Sequence, residues 1–222
     1  MFKITMVEPR RWYDFLLYLV KLWEDYPRLW NFYPIGADVF VFIYPVFLIA
    51  LYLYWMIKGK IEQKKEAIFI FISCFFSVAA NILSQQFFDK KRPIYELWIQ
   101  DFDETILHNF LPSTSFPSDH AVVTFSVAMW TWLIAHKHKN KKLKRWSYCL
   151  FLVAIITVLC RIGTKVHRTT DILAWTIMGL LVPIVLTIPF CYNLIDKRIF
   201  TPIINFEERI IKKFFKRYKK NS

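Results

Sequence analysis

Cysteine is scarce in this chain, and its distribution argues against several classes of protein. The 222 residues include four cysteines, Cys74, Cys149, Cys160 and Cys191. All four fall inside or at the rim of apolar stretches, where a small polarizable side chain packs well. None belongs to a Cys-x-x-Cys redox motif or has the spacing of a metal knuckle. We therefore expect neither a disulfide framework nor a cysteine metal site.

Acidic residues are also few, with 17 Asp and Glu against 30 Lys and Arg, which gives a net charge of +13. Such an excess suits nucleic acid, an anionic membrane surface or an anionic substrate. The chain is 56% hydrophobic and 19% aromatic, which excludes a disordered protein and is unusual for a soluble one. Its length fits one domain, at about 100–200 residues each. We expect a single membrane-embedded domain over residues 1–222.

Five apolar stretches are long enough to cross a bilayer, which requires about 20 residues. They are Ile35–Ile57, Ala67–Phe88, Ser118–His136, Trp146–Ile162 and Ile172–Tyr192. The run before them carries Asp14 and Lys21 and has no cleavage site after it, so it does not resemble a removable signal peptide. The predicted fold class is all-α: a polytopic membrane helix bundle with about five transmembrane helices.

Amphipathic segments accompany these spans and predict interfacial helices at three places. In the N-terminal segment, residues 1–34, aromatic and leucine side chains recur between Trp12 and Trp23. In the connection before the third span, Tyr95–Phe110 alternates apolar and acidic residues, which suits either a lid over a site or a simple surface helix. The tail, residues 193–222, repeats Phe206, Ile210, Phe214 and Tyr218 among lysines. It forms either a helix on an anionic inner leaflet or a solvated basic tail.

The positive charges cluster in two connections and in the tail. Residues 58–65 carry four lysines, and residues 137–145 carry five lysines and an arginine. The positive-inside rule makes this face cytoplasmic, which accounts for most of the +13 without nucleic acid. The connections 89–117 and 163–171 then lie on the outer face, together with the N-terminus.

Three clusters of polar residues lie near the outer ends of the predicted spans, where such groups are costly and often functional. In chain order they are Asn81, Ser84, Gln85 and Gln86 with Arg92-Pro93; Pro117-Ser118-Asp119-His120; and Cys160-Arg161 with His167 and Asp171. The second is typical of a helix N-terminus, whose free N–H groups attract anions. In the third, the spacing of four would stack His167 and Asp171 on one helical face, so that the carboxylate holds the imidazole.

These clusters contain the parts needed to bind a phosphoryl group and transfer it to nitrogen. Arginine offers planar bidentate contacts to phosphate oxygens. Histidine can act as nucleophile or general acid near neutral pH. No metal and no cofactor are required by this set. His108, His136 and His138 are interpreted as plain loop or interface residues.

At these residues the sequence resembles the type 2 phosphatidic acid phosphatase superfamily, which shares its helical core with vanadium haloperoxidases. That family carries Lys-x6-Arg-Pro, then Pro-Ser-Gly-His, then Ser-Arg-x5-His-x3-Asp. The order and spacing match over residues 67–192, which we expect to form the catalytic core.

The resemblance implies a role for each matching residue. His167 would attack phosphorus to give a phosphohistidine, Asp171 would orient it, and His120 would protonate the leaving oxygen and then activate water. The resemblance also implies which groups bind the phosphate: Arg92, Arg161, Ser118 and the backbone at Asp119 and His120.

Three positions depart from the family pattern. Gln85 stands where the family has lysine, so Lys90 or Lys91 would have to supply a charge to the phosphate. Asp119 stands where the family has glycine, and its charge is unfavourable beside phosphate unless it is paired with a lysine or an arginine. Cys160 stands where the family has serine.

An outward-facing site at the membrane surface favours a lipid phosphate as substrate. The resemblance favours a metal-independent lipid A 4'-phosphatase, in the inner membrane of a bacterium, with its site facing the periplasm. The alternative is an undecaprenyl diphosphate phosphatase. From other classes, a lipid-to-lipid phosphotransferase and an inactive lipid-binding membrane protein stay open. The expected partners are the lipid substrate and the bilayer, and the oligomeric state is not predicted.

Overall fold

A computed structural model describes residues 4–5, 9–26, 32–85, 87–89, 92–93, 115–116 and 118–210. These residues form a bundle that is helical almost throughout. The helices are α1 (Arg10–Asp25), α2 (Phe32–Asp38), α3 (Ile43–Ile57), α4 (Ile61–Gln85), α5 (Asp119–Lys137), α6 (Lys141–Gly163), α7 (Thr169–Leu186) and α8 (Pro189–Ile195). A π-helical turn, Asp196–Phe200, continues into helical residues 201–210. Two short strands, β1 (Ile4–Thr5) and β2 (Phe88–Asp89), pair in parallel with Ile4 opposite Phe88.

Within the described residues, four helical stretches are long and apolar enough to cross a membrane. They are Phe32–Ile57, Ile61–Ser84, Lys141–Gly163 and Thr169–Leu186. They correspond to four of the five predicted spans and mark the chain as a membrane protein. The prediction of an all-α polytopic bundle is confirmed.

The remaining predicted span, Ser118–His136, forms α5, which does not belong to those four. At 19 residues it is about 28 Å long, close to the thickness of a hydrocarbon core. Its sequence is less apolar because Thr124, Ser126 and Thr131 lie along it, all fully buried. α5 packs against α4, α6 and α7. It is therefore the central helix, enclosed by the apolar helices.

The first predicted span is interrupted near its start. α2 ends at Asp38, and a 3₁₀ turn, Phe40–Phe42, separates it from α3. α2 packs against α6 so closely that a Cβ added at Gly36 would lie 2.5 Å from Cys160 Sγ. Likewise, a Cβ at Gly163 would lie 2.4 Å from Tyr33 Cε2. The two glycines therefore bring α2 into direct contact with the last turn of α6.

The bundle has two distinct ends. α4 and α6 finish at one end, where α5 and α7 begin, and we call this the site end. At the opposite end, Lys137 Nζ lies 2.6 Å from Glu66 Oε1 and His138 Nε2 lies 2.8 Å from Glu66 Oε2. The lysine-bearing connections 58–65 and 137–145 meet there, so we call it the basic end.

The terminal segments pack on this bundle. In α1, Leu16 and Leu19 are buried, and the helix contacts α6 and α7. In the tail, Phe200 and Ile204 are buried, and Lys64 Nζ lies 2.9 Å from Glu207 Oε2. The beginning of the predicted basic tail is therefore docked onto α4. The predicted interfacial helix Tyr95–Phe110 and the tail residues Phe214 and Tyr218 lie outside the described residues.

Candidate active site

The site end of the bundle gathers the motif residues from four separate elements. Arg161 lies in the last turn of α6, and His167 lies in the turn that leads to α7. Ser118 is the N-cap residue of α5. Arg92 comes from the segment that follows α4. Because α4 and α6 end where α5 and α7 begin, residues far apart in sequence meet here.

Arg161 is held by a carboxylate that sequence reasoning missed. Its Nη1 atom donates to Asp38 Oδ1 and to the carbonyl of Ala37, each at 3.0 Å. Both charged side chains are almost fully buried. This ion pair holds the guanidinium at its Nη1 atom, so that the edge formed by Nε and Nη2 faces the site. That edge is the one that binds a phosphate or carboxylate with two parallel hydrogen bonds.

Arg92 is the second arginine of the site and is also buried. Its Nη1 atom donates to the carbonyl of Val166 at 2.8 Å. Val166 directly precedes His167, so Arg92 is attached to the turn that carries the histidine. Lys165 is fully buried in the same turn and has a positive φ of 58°.

The ring of His167 is oriented by backbone and arginine contacts. Its Nδ1 atom lies 2.6 Å from the carbonyl of Ser115, and its Nε2 atom lies 3.3 Å from Arg161 Nη2. A carbonyl only accepts and a guanidinium only donates, so these partners assign the proton to Nδ1 and the lone pair to Nε2. The Nε2 lone pair therefore points toward Arg161 Nη2 and accepts from it.

Burial and the neighbouring charges both favour the neutral form of this histidine. Burial lowers the pKa of His167 well below its ordinary value, and the positive charges of Arg161 and Arg92 lower it further. The hydrogen bond to Ser115 and the nearby His120 act in opposite directions with smaller effect. A neutral imidazole has the lone pair that nucleophilic attack requires.

Asp171 is placed differently from the sequence expectation. α7 begins at Thr169, so His167 precedes the helix, and the spacing of four does not put it on one helical face with Asp171. Asp171 Oδ2 instead accepts a hydrogen bond from the Ser115 hydroxyl and one from Arg168 N, the latter at 3.1 Å. Ser115 thus connects the carboxylate to the histidine, since its carbonyl contacts His167 Nδ1.

Three buried hydrogen-bond donors have no partner among the described residues. Two belong to motif residues, the Ser118 hydroxyl and Arg161 Nε, and the third is Trp175 Nε1 in the second turn of α7. Leaving such groups unpaired costs about 1–3 kcal/mol each, unless a ligand satisfies them. Ser118 also opens α5, and the free N–H groups of a helix N-terminus favour anions. An anion with several oxygens matches this set of donors.

Asp119 and His120 stand in the first turn of α5, beside these donors. Both lie within electrostatic reach of Arg161 and Arg92. The carboxylate at the position of the family's glycine is therefore near two arginines. The side chain of Gln85, at the end of α4, and all of Lys90 and Lys91 lie outside the described residues. Cys160 is buried against α2 at Gly36.

Two residues of this site were not found from the sequence. Asp38 carried a signal, since it is a carboxylate within an otherwise uncharged predicted span, and such residues are usually functional. Ser115 carried none, because a serine in a long connection has no distinctive spacing. Within the described part of the chain, no cluster of three or more His, Cys, Asp or Glu side chains could hold a metal ion.

A membrane helix bundle with a neutral histidine, two buried arginines and unpaired donors at one end defines a class of protein that handles oxyanions such as phosphate. The comparison with known families is more specific. The PAP2 superfamily model matches residues 66–195, more than half of the chain, and the protein belongs to that superfamily. Membership makes it a phosphatase of phosphate esters, with a lipid as the implied substrate. No curated protein and no solved structure gives a significant match.

Proposed function

We propose that this protein is an integral membrane phosphatase that hydrolyses a lipid phosphate monoester through a phosphohistidine on His167. One observation carries the proposal. The lone pair of His167 Nε2 faces Arg161, beside two buried donors that lack partners, Arg161 Nε and the Ser118 hydroxyl. Donors arranged before the reaction around a nucleophile stabilise the charge that develops on phosphoryl oxygens.

In the first step, His167 Nε2 attacks phosphorus and the bond from phosphorus to the ester oxygen breaks. The electron pair leaves with that oxygen, which takes a proton from His120 and departs as an alcohol. Arg161, Arg92 and Ser118 hold the three remaining phosphoryl oxygens. The phosphorylated ring is cationic, and Ser115 and Asp171 stabilise the proton on its Nδ1 atom.

In the second step, His120 accepts a proton from water, whose oxygen attacks phosphorus. The N–P bond breaks, inorganic phosphate is released and His167 returns to its neutral form. Each group then has its starting protonation state. No step requires a metal ion.

The proposed substrate is lipid A, cleaved at its 4'-phosphate on the periplasmic face of a bacterial inner membrane. The positive-inside rule supports this face, because the lysine-rich connections meet at the basic end and the site lies at the other. A lipid substrate presents its phosphate at the membrane surface, and the proposed site lies at one end of the bundle. Undecaprenyl diphosphate is the competing substrate.

The test is inorganic phosphate release by the purified full-length protein from lipid A, undecaprenyl diphosphate and phosphatidic acid. We expect release from lipid A that persists in the presence of a chelator and is abolished by His167→Ala. Acid-sensitive, base-stable labelling of the wild type by a phosphate-labelled substrate would support the phosphohistidine. His136→Ala is the matched control, because this exposed histidine lies at the basic end of the bundle. Its ring stacks on Trp132, with 5.5 Å between the ring centroids.

The other possible outcomes would indicate a different substrate, reaction or mechanism. Faster release from undecaprenyl diphosphate would replace lipid A as the substrate. Transfer of labelled phosphate into a second lipid would indicate a phosphotransferase. Activity that survives His167→Ala would refute the covalent mechanism, and absence of release from every lipid would refute the phosphatase.

A further inference from the structure

A long apolar groove lies between α3 and α6. Its volume is about 870 Å³. Aromatic and aliphatic side chains line it, among them Phe42, Val46, Tyr54 and Trp146, all of which are at least half exposed. These surfaces face outward from the bundle, so the groove opens to the surrounding lipid.

The groove has a polar end, at Asn140 and Lys142 at the basic end of the bundle. Along its length, the Tyr44 hydroxyl donates to the carbonyl of Leu150 at 2.7 Å, which ties α3 to α6. On α3 the lining runs from Ile43 to Trp55, twelve residues that span about 18 Å at 1.5 Å per residue. Val39 and Phe42 extend it further toward the site end. The groove is therefore longer than one leaflet is deep, since a hydrocarbon core is about 30 Å thick.

A second cavity adjoins the polar end. It has a volume of about 240 Å³ and is lined by Lys139, Lys141 and Lys144, and it shares Asn140 with the groove. On the α3 side, Lys60 Nζ lies 5.8 Å from the ring centroid of Trp55, another lining residue of the groove. A long apolar groove therefore ends in a cavity with several positive charges.

We propose that this composite site binds an anionic glycerophospholipid of the leaflet at the basic end. One acyl chain lies in the groove along Val46 and Trp146, and the headgroup phosphate lies among Lys139, Lys142 and Lys144. Charge complementarity selects this occupant, because basic pockets at helix ends bind anionic headgroups. The groove is long enough to hold one whole acyl chain, and its opening toward lipid allows the chain to enter sideways. The site is separate from the phosphatase centre and does not depend on it.

Quenching of tryptophan by brominated acyl chains tests the proposal in the full-length protein. The protein is reconstituted in phosphatidylcholine vesicles that contain a minor fraction of either brominated phosphatidylglycerol or brominated phosphatidylcholine. The contribution of Trp146 is the difference between the wild type and Trp146→Phe. We expect the anionic lipid to quench this contribution at several-fold lower content. Each lysine removed should weaken that preference by about fivefold.

Two variants and one control make the result decisive. Lys142→Gln with Lys144→Gln should abolish the preference, whereas Lys197→Gln should retain it, because that exposed lysine lies at the same end but lines neither cavity. Ala50→Phe fills the groove and should equalise the two lipids while lipid phosphate release at the site end is unchanged. Equal quenching by both lipids in the wild type would overturn the proposal. A preference that survives Ala50→Phe, or that Lys197→Gln removes as fully as the double variant, would also overturn it.

Discussion

The contacts among His167, Ser115 and Asp171 predict that the last two residues act on the histidine as one unit. The Ser115 hydroxyl donates to Asp171 Oδ2, and its carbonyl lies 2.6 Å from His167 Nδ1. Ser115→Ala removes the hydroxyl and leaves the carbonyl without its anchor. A hydrogen bond to a charged group contributes about 1.5–3 kcal/mol, and each 1.36 kcal/mol is tenfold in rate. We expect kcat/KM to fall by about 10- to 150-fold.

The assay is a double-mutant cycle on phosphate release with Ser115→Ala, Asp171→Ala and both together. If Asp171 acts through Ser115, the double variant should lose no more activity than Asp171→Ala alone, because coupled residues are not additive. Ser115→Thr keeps a hydroxyl and should recover most of the activity. Ser126→Ala is the control, since this buried serine donates to the carbonyl of Gly179 at 3.1 Å in the middle of the bundle.

Additive losses in the double variant would refute the reasoning. They would mean that Ser115 and Asp171 influence His167 independently. Full activity of Ser115→Ala would refute it as well, because the backbone carbonyl would then need no anchor. A fall caused equally by Ser126→Ala would point to a general loss of packing instead of a positioning role.

Three further predictions follow from the charges of the site. Asp38→Ala leaves Arg161 without its carboxylate, and breaking a buried ion pair costs about 3–5 kcal/mol. The thermal unfolding midpoint should therefore fall, and added inorganic phosphate should restore part of the lost stability. Arg92→Gln removes a positive charge that lowers the pKa of His167. That pKa should rise, and the acid limb of the pH profile of kcat/KM should move to higher pH on the same substrate, whereas Arg92→Lys should not move it. Asp119→Gly removes a carboxylate within reach of both arginines, so inhibition by inorganic phosphate should strengthen on the order of tenfold.

Much of the helical framework follows from hydrophobic length alone, because a membrane helix has to satisfy its backbone internally and cover its side chains with lipid or protein. The ends of the helices follow less well. The span predicted as Ile172–Tyr192 ends at Leu186, and a new helix begins at Pro189. Proline at the first position of a helix starts it readily, and continuous hydrophobicity hides such a break.

Only part of the candidate site could be predicted from the sequence. The motif spacing identifies Arg92, Arg161 and His167, and the crossing pattern predicts that they share one end. Spacing could not show that His167 precedes its helix, because the start of α7 depends on the capping contact between Asp171 and Arg168 N. Nor could it find Ser115, whose contribution comes from a backbone carbonyl as much as from its hydroxyl.

The orientation of Arg161 connects the proposed site to a part of the chain outside the family match. A guanidinium can bind partners along more than one edge, and only an external constraint decides which edge meets the substrate. Asp38 provides that constraint by engaging Nη1, so that Nε and Nη2 face His167. Asp38 lies before the matched residues 66–195, at the end of α2. It reaches Arg161 because Gly36 and Gly163 let α2 approach the end of α6 without a Cβ between them. The geometry of the proposed phosphate site is therefore set by helix packing at two glycines as well as by the motifs that bear the charges.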